Sequence, residues 1–218
     1  MKRMKRNLLL AVVVTLLSAY CSSVAQEPVN TWSQNEGLRV MTEVQKKLAG
    51  LQYYAVFDWL TFGVHGKTIV LKGYASRPLL KEEAGRSITG IAGVASIDNQ
   101  IEVLPLSPND DRIRASAYNR IYTSSRLSRY NANQGSLARA LGPGGRSAAL
   151  MAGGITNDPP IGYHAIHIVV NKGHLMLFGV VSNEQDRVMA GLMANGTPGV
   201  FSLDNDIIAE HSNRAEQF

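Results

Sequence analysis

Ile91-Ala92-Gly93-Val94-Ala95-Ser96-Ile97-Asp98-Asn99 comes back later in the chain as Thr197-Pro198-Gly199-Val200-Phe201-Ser202-Leu203-Asp204-Asn205. The matched positions stand 106 residues apart, with no slip in register. Working outward, Leu71/Leu177, Gly73/Gly179, Ser76/Ser182, Ala84/Ala190, Gly85/Gly191 and Ile101/Ile207 keep the same offset. The chain is therefore one small unit in tandem. Its matched residues are mostly glycines, small residues and aliphatics, which shape a backbone and do not carry catalysis.

Each copy reads α-β-β-α-β. In the first, Ser33-Gln34-Asn35-Glu36 is a capping box. Leu38, Met41, Val44, Leu48 and Leu51 follow at helical spacing and are the expected buried face. Val56 to Val64 reads as a strand, His65-Gly66 as a turn, and Ile69, Leu71 and Gly73 as the returning strand. Ser76 to Thr89 is the second helix, with Pro78 in its first turn, and Val94 to Val103 the third strand. In the second copy, Ser107-Pro108-Asn109-Asp110 starts a helix. Ala165 to Val170, the turn Asn171-Lys172-Gly173, and Leu175 and Leu177 make the hairpin. Ser182 and Gln185 form the expected capping box of a helix running to Asn195, and Val200 to Ile208 closes the unit. Gly73, Gly93, Gly179 and Gly199 are structural: each stands where the chain leaves a strand or a helix. Asn99 and Asn205 are expected to hydrogen-bond local backbone.

The order of elements, the glycine closing each hairpin and the Gly-Val and Asn before each last strand resemble the BON family. In the first copy the likeness rests on residues 66–73 and 91–99, and in the second on 175–181 and 197–205. The resemblance implies an α+β fold of two αββαβ sandwiches, each a three-stranded mixed sheet with two helices on one face. It implies a first domain over 33–105 and a second over 107–209, with a polar tail over 210–218. It also implies an exported or envelope-associated bacterial protein that binds phospholipid surfaces or other envelope components, without enzymatic activity.

One stretch has no counterpart. The second copy carries about 30 extra residues, 123–160, with Arg126, Arg129, Arg139 and Arg146 against Asp158 alone, and with Gly142-Pro143-Gly144-Gly145. Residues 1–25 read as a signal peptide: Lys2, Arg3, Lys5 and Arg6, an apolar stretch from Leu8 to Leu17, then small residues before Gln26. Lipidation at Cys21 is one alternative, disfavoured by Tyr20 directly before it, and an uncleaved N-terminal anchor is a third, weaker one. Cleavage before Gln26 leaves 18 basic and 17 acidic side chains, so the charge argues against nucleic acid as a partner. It also removes the only cysteine and leaves no transmembrane segment.

The two copies differ most on one helix. Glu82, Glu83, Arg86 and Ser87 of the first become Val188, Met189, Leu192 and Met193. On the sheet, Val70 and Lys72 become Met176 and Phe178, while Thr61 and Gly63 become His167 and Val169. The second copy thus carries extra apolar surface, which calls for a cover. Three covers fit: the first copy or the insert, a membrane, or a protein partner. In the membrane reading Met189, Leu192 and Met193 dip into lipid while Arg187, Arg126, Arg129, Arg139 and Arg146 meet anionic headgroups.

No cofactor, metal or catalytic group is expected. His164 and His167, three apart on a strand, are expected on opposite faces. The glycine-rich 142–145 lacks the Lys-Ser/Thr of a phosphate loop. The leading expectation is a periplasmic or secreted non-enzymatic protein that associates with anionic phospholipid through its second domain. The alternative is a protein-protein adaptor or stress-related, chaperone-like factor.

Overall fold

In the computed structural model, residues 31–131 and 164–210 are described. The expected signal segment, most of the insert and the tail beyond Glu210 lie outside them.

The first domain runs α1 (Gln34–Ala49), β1 (Trp59–His65), β2 (Thr68–Ala75), α2 (Pro78–Ile88), β3 (Ser96–Asn99) and β4 (Glu102–Val103). The second runs α3 (Pro108–Tyr122), a 3-10 turn (Ser128–Tyr130), β5 (Ile166–Asn171), β6 (His174–Val181), α4 (Glu184–Asn195) and β7 (Ser202–Ala209). Both fall within one compact unit that begins at Trp32. The fold is α+β, with a mixed sheet in each half.

Strand register repeats as the sequence does. β1 and β2 are antiparallel with Leu60 opposite Gly73, and β5 and β6 are antiparallel with Ile166 opposite Gly179. β3 lies parallel to β2 with Ile97 beside Ile69, and β7 parallel to β6 with Leu203 beside Leu175. The expected strand over 94–103 is two short pieces, and only its copy, β7, is continuous.

Two matched pairs explain why the copies kept their small residues. Gly73 has φ +113° and Gly179 φ +125°. A Cβ there would collide with the carbonyl oxygen of Trp59 or of Ala165 across the hairpin, so only glycine fits. Gly85 and Gly191 answer a different need. Asn99 donates from Nδ2 to the Lys81 carbonyl of α2 at 2.8 Å, and Asn205 to the Arg187 carbonyl of α4 at 2.9 Å. A Cβ at Gly85 would come within 3.0 Å of the Asn99 Nδ2, and one at Gly191 within 2.8 Å of that of Asn205. The helix glycine makes room for a strand asparagine that fastens helix to sheet. Asn99 makes the local backbone bond expected from sequence, accepting from Ile101 N–H at 3.3 Å, and both asparagines also reach a helix 18 residues earlier.

The Ser33 capping box forms, with Glu36 N–H donating to Ser33 Oγ and Ser33 N–H to Glu36 Oε2. The buried face of α1 is Val40, Val44 and Leu48. Leu38 and Met41 are exposed, because the spacing of four from Val40 selects a stripe turned away from them. The expected strand start at Val56 also differs. Val56 and Phe57 leave their own sheet and enter the core of the second domain, where Phe57 meets the edge of Tyr118. Ile168 N–H donates to the Val56 carbonyl at 2.8 Å, which extends the second sheet's edge with first-domain backbone.

The sheets also meet. Val169, Met176 and Phe178 pack with Leu104, Trp59 and Tyr74 in a third apolar cluster. Tyr54 and Trp59 pack on His167. The substitutions that made the second sheet greasy are thus covered by the first domain.

Candidate contact surface

The helix α4 carries the remaining substitutions. Its N-cap is Asn183, whose side chain accepts from Asp186 N–H at 2.9 Å. The expected Ser182/Gln185 capping box does not form, because Ser182 N–H is turned to the hydroxyl of Tyr130. Ala190 and Ala194 face the core. Met189 and Met193 are half-buried against that core. Val188 is 47% exposed and Leu192 59% exposed, one turn apart on the outer face. They replace Glu82 and Arg86 of α2. Of the four substituted positions, the structure thus turns two outward and tucks two partly under the helix.

The arginines are mostly occupied. Asp186, with no exposed side-chain surface, accepts from Arg126 Nε at 2.6 Å, from Arg129 Nη2 and from the Tyr130 hydroxyl at 2.5 Å. Burial pushes the Asp186 carboxyl up, but the hydrogen bonds from Tyr130, Arg126 and Arg129 outweigh it and hold the group below the usual carboxylate range. The acid also sits in the first turn of α4, where the helix dipole favours negative charge. Arg187 pairs with Glu184 through Nε at 2.9 Å, and that pairing lowers the Glu184 carboxyl. Arg139 and Arg146 lie outside the described residues. Arg120, which the sequence reading passed over, donates from Nε to the Met193 carbonyl at 2.9 Å and caps the other end of α4. Among the described residues no helix is long and apolar enough to cross a membrane.

Comparison with protein-family models matches the BON domain twice, over residues 63–105 and 152–210. The chain carries two BON domains. Two solved structures of CdsD, a structural protein of the type III secretion system of Chlamydia trachomatis, align over 78% of this chain at 12% identity, one of them its C-terminal domain. They are covered to 96% and 92% of their own length, at a TM-score of 0.24, and carry no argument about this chain. No curated protein matches the chain.

Two further features of the second BON domain escaped the sequence reading. Phe201, at the position of Ala95, is 83% exposed beside the turn glycine Gly173. A lone aromatic in a loop gave no periodic signal. His164 and His167 do not stand on opposite faces of one strand, because β5 begins only at Ile166. Both are buried, with ring centroids 6.3 Å apart. They line a cavity of about 320 Å³ together with Leu48, Tyr54, Trp59 and Phe62 of the first domain. His167 Nε2 lies 3.4 Å from the Tyr54 hydroxyl. Burial, and then the neighbouring His164, lower His167 to about 4.

Proposed function

We propose that this protein is a non-enzymatic binding protein of the bacterial envelope and associates with anionic phospholipid surfaces through its second BON domain. The observation that carries the reading is the outward pair Val188 and Leu192, where the first domain keeps Glu82 and Arg86. Exposed apolar side chains on a helix face lie naturally in a lipid interface. The family's association with membranes and envelopes supports the same reading. The signal peptide expected over residues 1–25 would deliver the protein to the periplasm or beyond, with cleavage before Gln26.

The structure changes how charge enters this reading. Arg126, Arg129 and Arg187 already hold carboxylates. Attraction to headgroups therefore rests on Arg139, Arg146 and on arginines that exchange partners. Co-sedimentation with phosphatidylglycerol vesicles tests the proposal. Binding that weakens with salt and is lost in Val188→Glu/Leu192→Glu supports it. Absence of binding at low salt removes it in favour of a protein partner.

A further inference from the structure

The outer edges of the two hairpins differ between the copies. On β2, the Leu71 carbonyl turns away from β1 to accept from Gln100 N–H at 2.9 Å. Backbone groups alternate sides along an antiparallel pair, so Phe62, opposite Leu71, turns its own N–H and C=O away from β2. Leu60 and Val64, two residues to either side, do the same. The matched residues of β5 are Ile166, Ile168 and Val170. Each has an outward group already taken within the chain. The Tyr122 hydroxyl donates to the Ile166 carbonyl, Ile168 N–H to the Val56 carbonyl at 2.8 Å, and Arg114 Nη2 to the Val170 carbonyl at 2.6 Å. Among the described residues nothing bonds the outward groups of Leu60, Phe62 or Val64. One edge is sealed at three matched positions where the other is open.

An open edge is a template for a further strand. This one borders the cavity between the domains, where Leu48, Leu60 and Phe62 of the first domain meet Ala165 and Val180 of the second. At about 320 Å³ the cavity admits a short length of extended chain and has no room for another folded domain. Phe62 is half-buried and Val64 43% exposed, so alternate residues of an added strand would find apolar neighbours on that face. Lys46 and Lys47 stand exposed in the last turn of α1, next to the lining residue Leu48. No acid lines the cavity among the described residues. An incoming strand with acidic residues complements this rim.

We propose that the open edge of β1 binds an extended peptide segment of another protein, apolar at alternate positions and acidic at its ends. The segment adds a strand to the first sheet and places an apolar side chain in the cavity. Main-chain hydrogen bonds supply the affinity, and the cavity and the two lysines supply the selection. The site does not depend on the α4 face and stands or falls separately from it.

The test uses the full chain labelled with nitrogen-15. The probe is a capped heptapeptide that alternates valine with threonine and carries an aspartate at each end. In the free chain the Phe62 and Val64 amides should exchange fast with solvent, and those of Thr61 and Gly63 slowly. The peptide should bind saturably and slow the first pair at least tenfold. Its fully N-methylated counterpart should not bind. Val64→Pro, which deletes an edge donor without breaking a bond to β2, should weaken binding about tenfold. Lys46→Glu/Lys47→Glu should weaken the aspartate peptide and strengthen a lysine-ended one, a reversal that loss of folding cannot produce. Leu192→Glu should change nothing. Phe62 and Val64 amides already slow in the dilute free chain would show an edge covered from within. Slow exchange that sets in with rising protein concentration would assign the edge to a second copy. Either result overturns the proposal, as does a peptide that fails to saturate or that binds equally well when methylated.

Discussion

The Trp59 indole lies against the Phe178 ring, 5.2 Å between centroids and 2° from parallel. This stack joins the outer faces of the two sheets. The first domain, in the equivalent position, has Lys72. Phe178→Lys should therefore cost about 3 kcal/mol, from lost apolar packing and a lysine forced beneath an indole. Urea unfolding checks this. A transition that splits in two would further show that the stack couples the domains.

The pairing of Asn99 with Gly85 predicts a change of sign. Gly85→Ala alone should destabilise, because the new methyl crowds the asparagine amide. In an Asn99→Ala background the same substitution should stabilise by up to about 1 kcal/mol, the helix preference for alanine. A thermodynamic cycle of the four proteins measures it, and Gly191 with Asn205 should repeat the pattern.

Acid should loosen the domain interface through His167. Its folded value of about 4 lies below the ordinary 6.5, so the unfolded chain binds more protons between them. Stability from the neutral ring is complete above about pH 6.5, declines as pH falls toward about 4, and levels below. The slope in that window should approach about 1 kcal/mol per pH unit. His167→Phe should flatten it in pH-dependent denaturation. Asp186, held low, loses its own contribution only at more acid pH, where its carboxyl protonates.

Asp186→Asn separates stability from binding. Removing the charge that Arg126 and Arg129 share should cost about 2 kcal/mol by thermal unfolding. It also releases two guanidinium groups at the surface. Association with phosphatidylglycerol vesicles should then rise and become more sensitive to salt.

What the sequence showed and what it hid follow the range of the forces involved. The repeat offset, the capping box at Ser33 and the glycines at 73 and 179 were legible, since each answers a need set within a few residues or one hairpin. The greasy face of β5 and β6 was legible, and the first copy was among its expected covers, but the covering residues Trp59 and Tyr74 were not, because they reach it only through tertiary packing. Arg126 and Arg129 looked like free cations for the same reason. Their partner, Asp186, lies almost 60 residues on and becomes an acceptor only when the 3-10 turn brings Tyr130 beside the start of α4. Val56 and Phe57 stood at the start of the expected strand, yet they pack in the second domain's core.

A fluorophore sensitive to polarity, attached through Leu192→Cys in a Cys21→Ser chain, tests the membrane reading most directly. On phosphatidylglycerol vesicles its emission should shift to the blue and be quenched by lipid-borne quenchers, while the same probe at Arg86→Cys should keep its aqueous spectrum. Identical, unshifted emission from both positions, with the protein demonstrably on the vesicle, would contradict the assignment of the α4 face as the membrane contact.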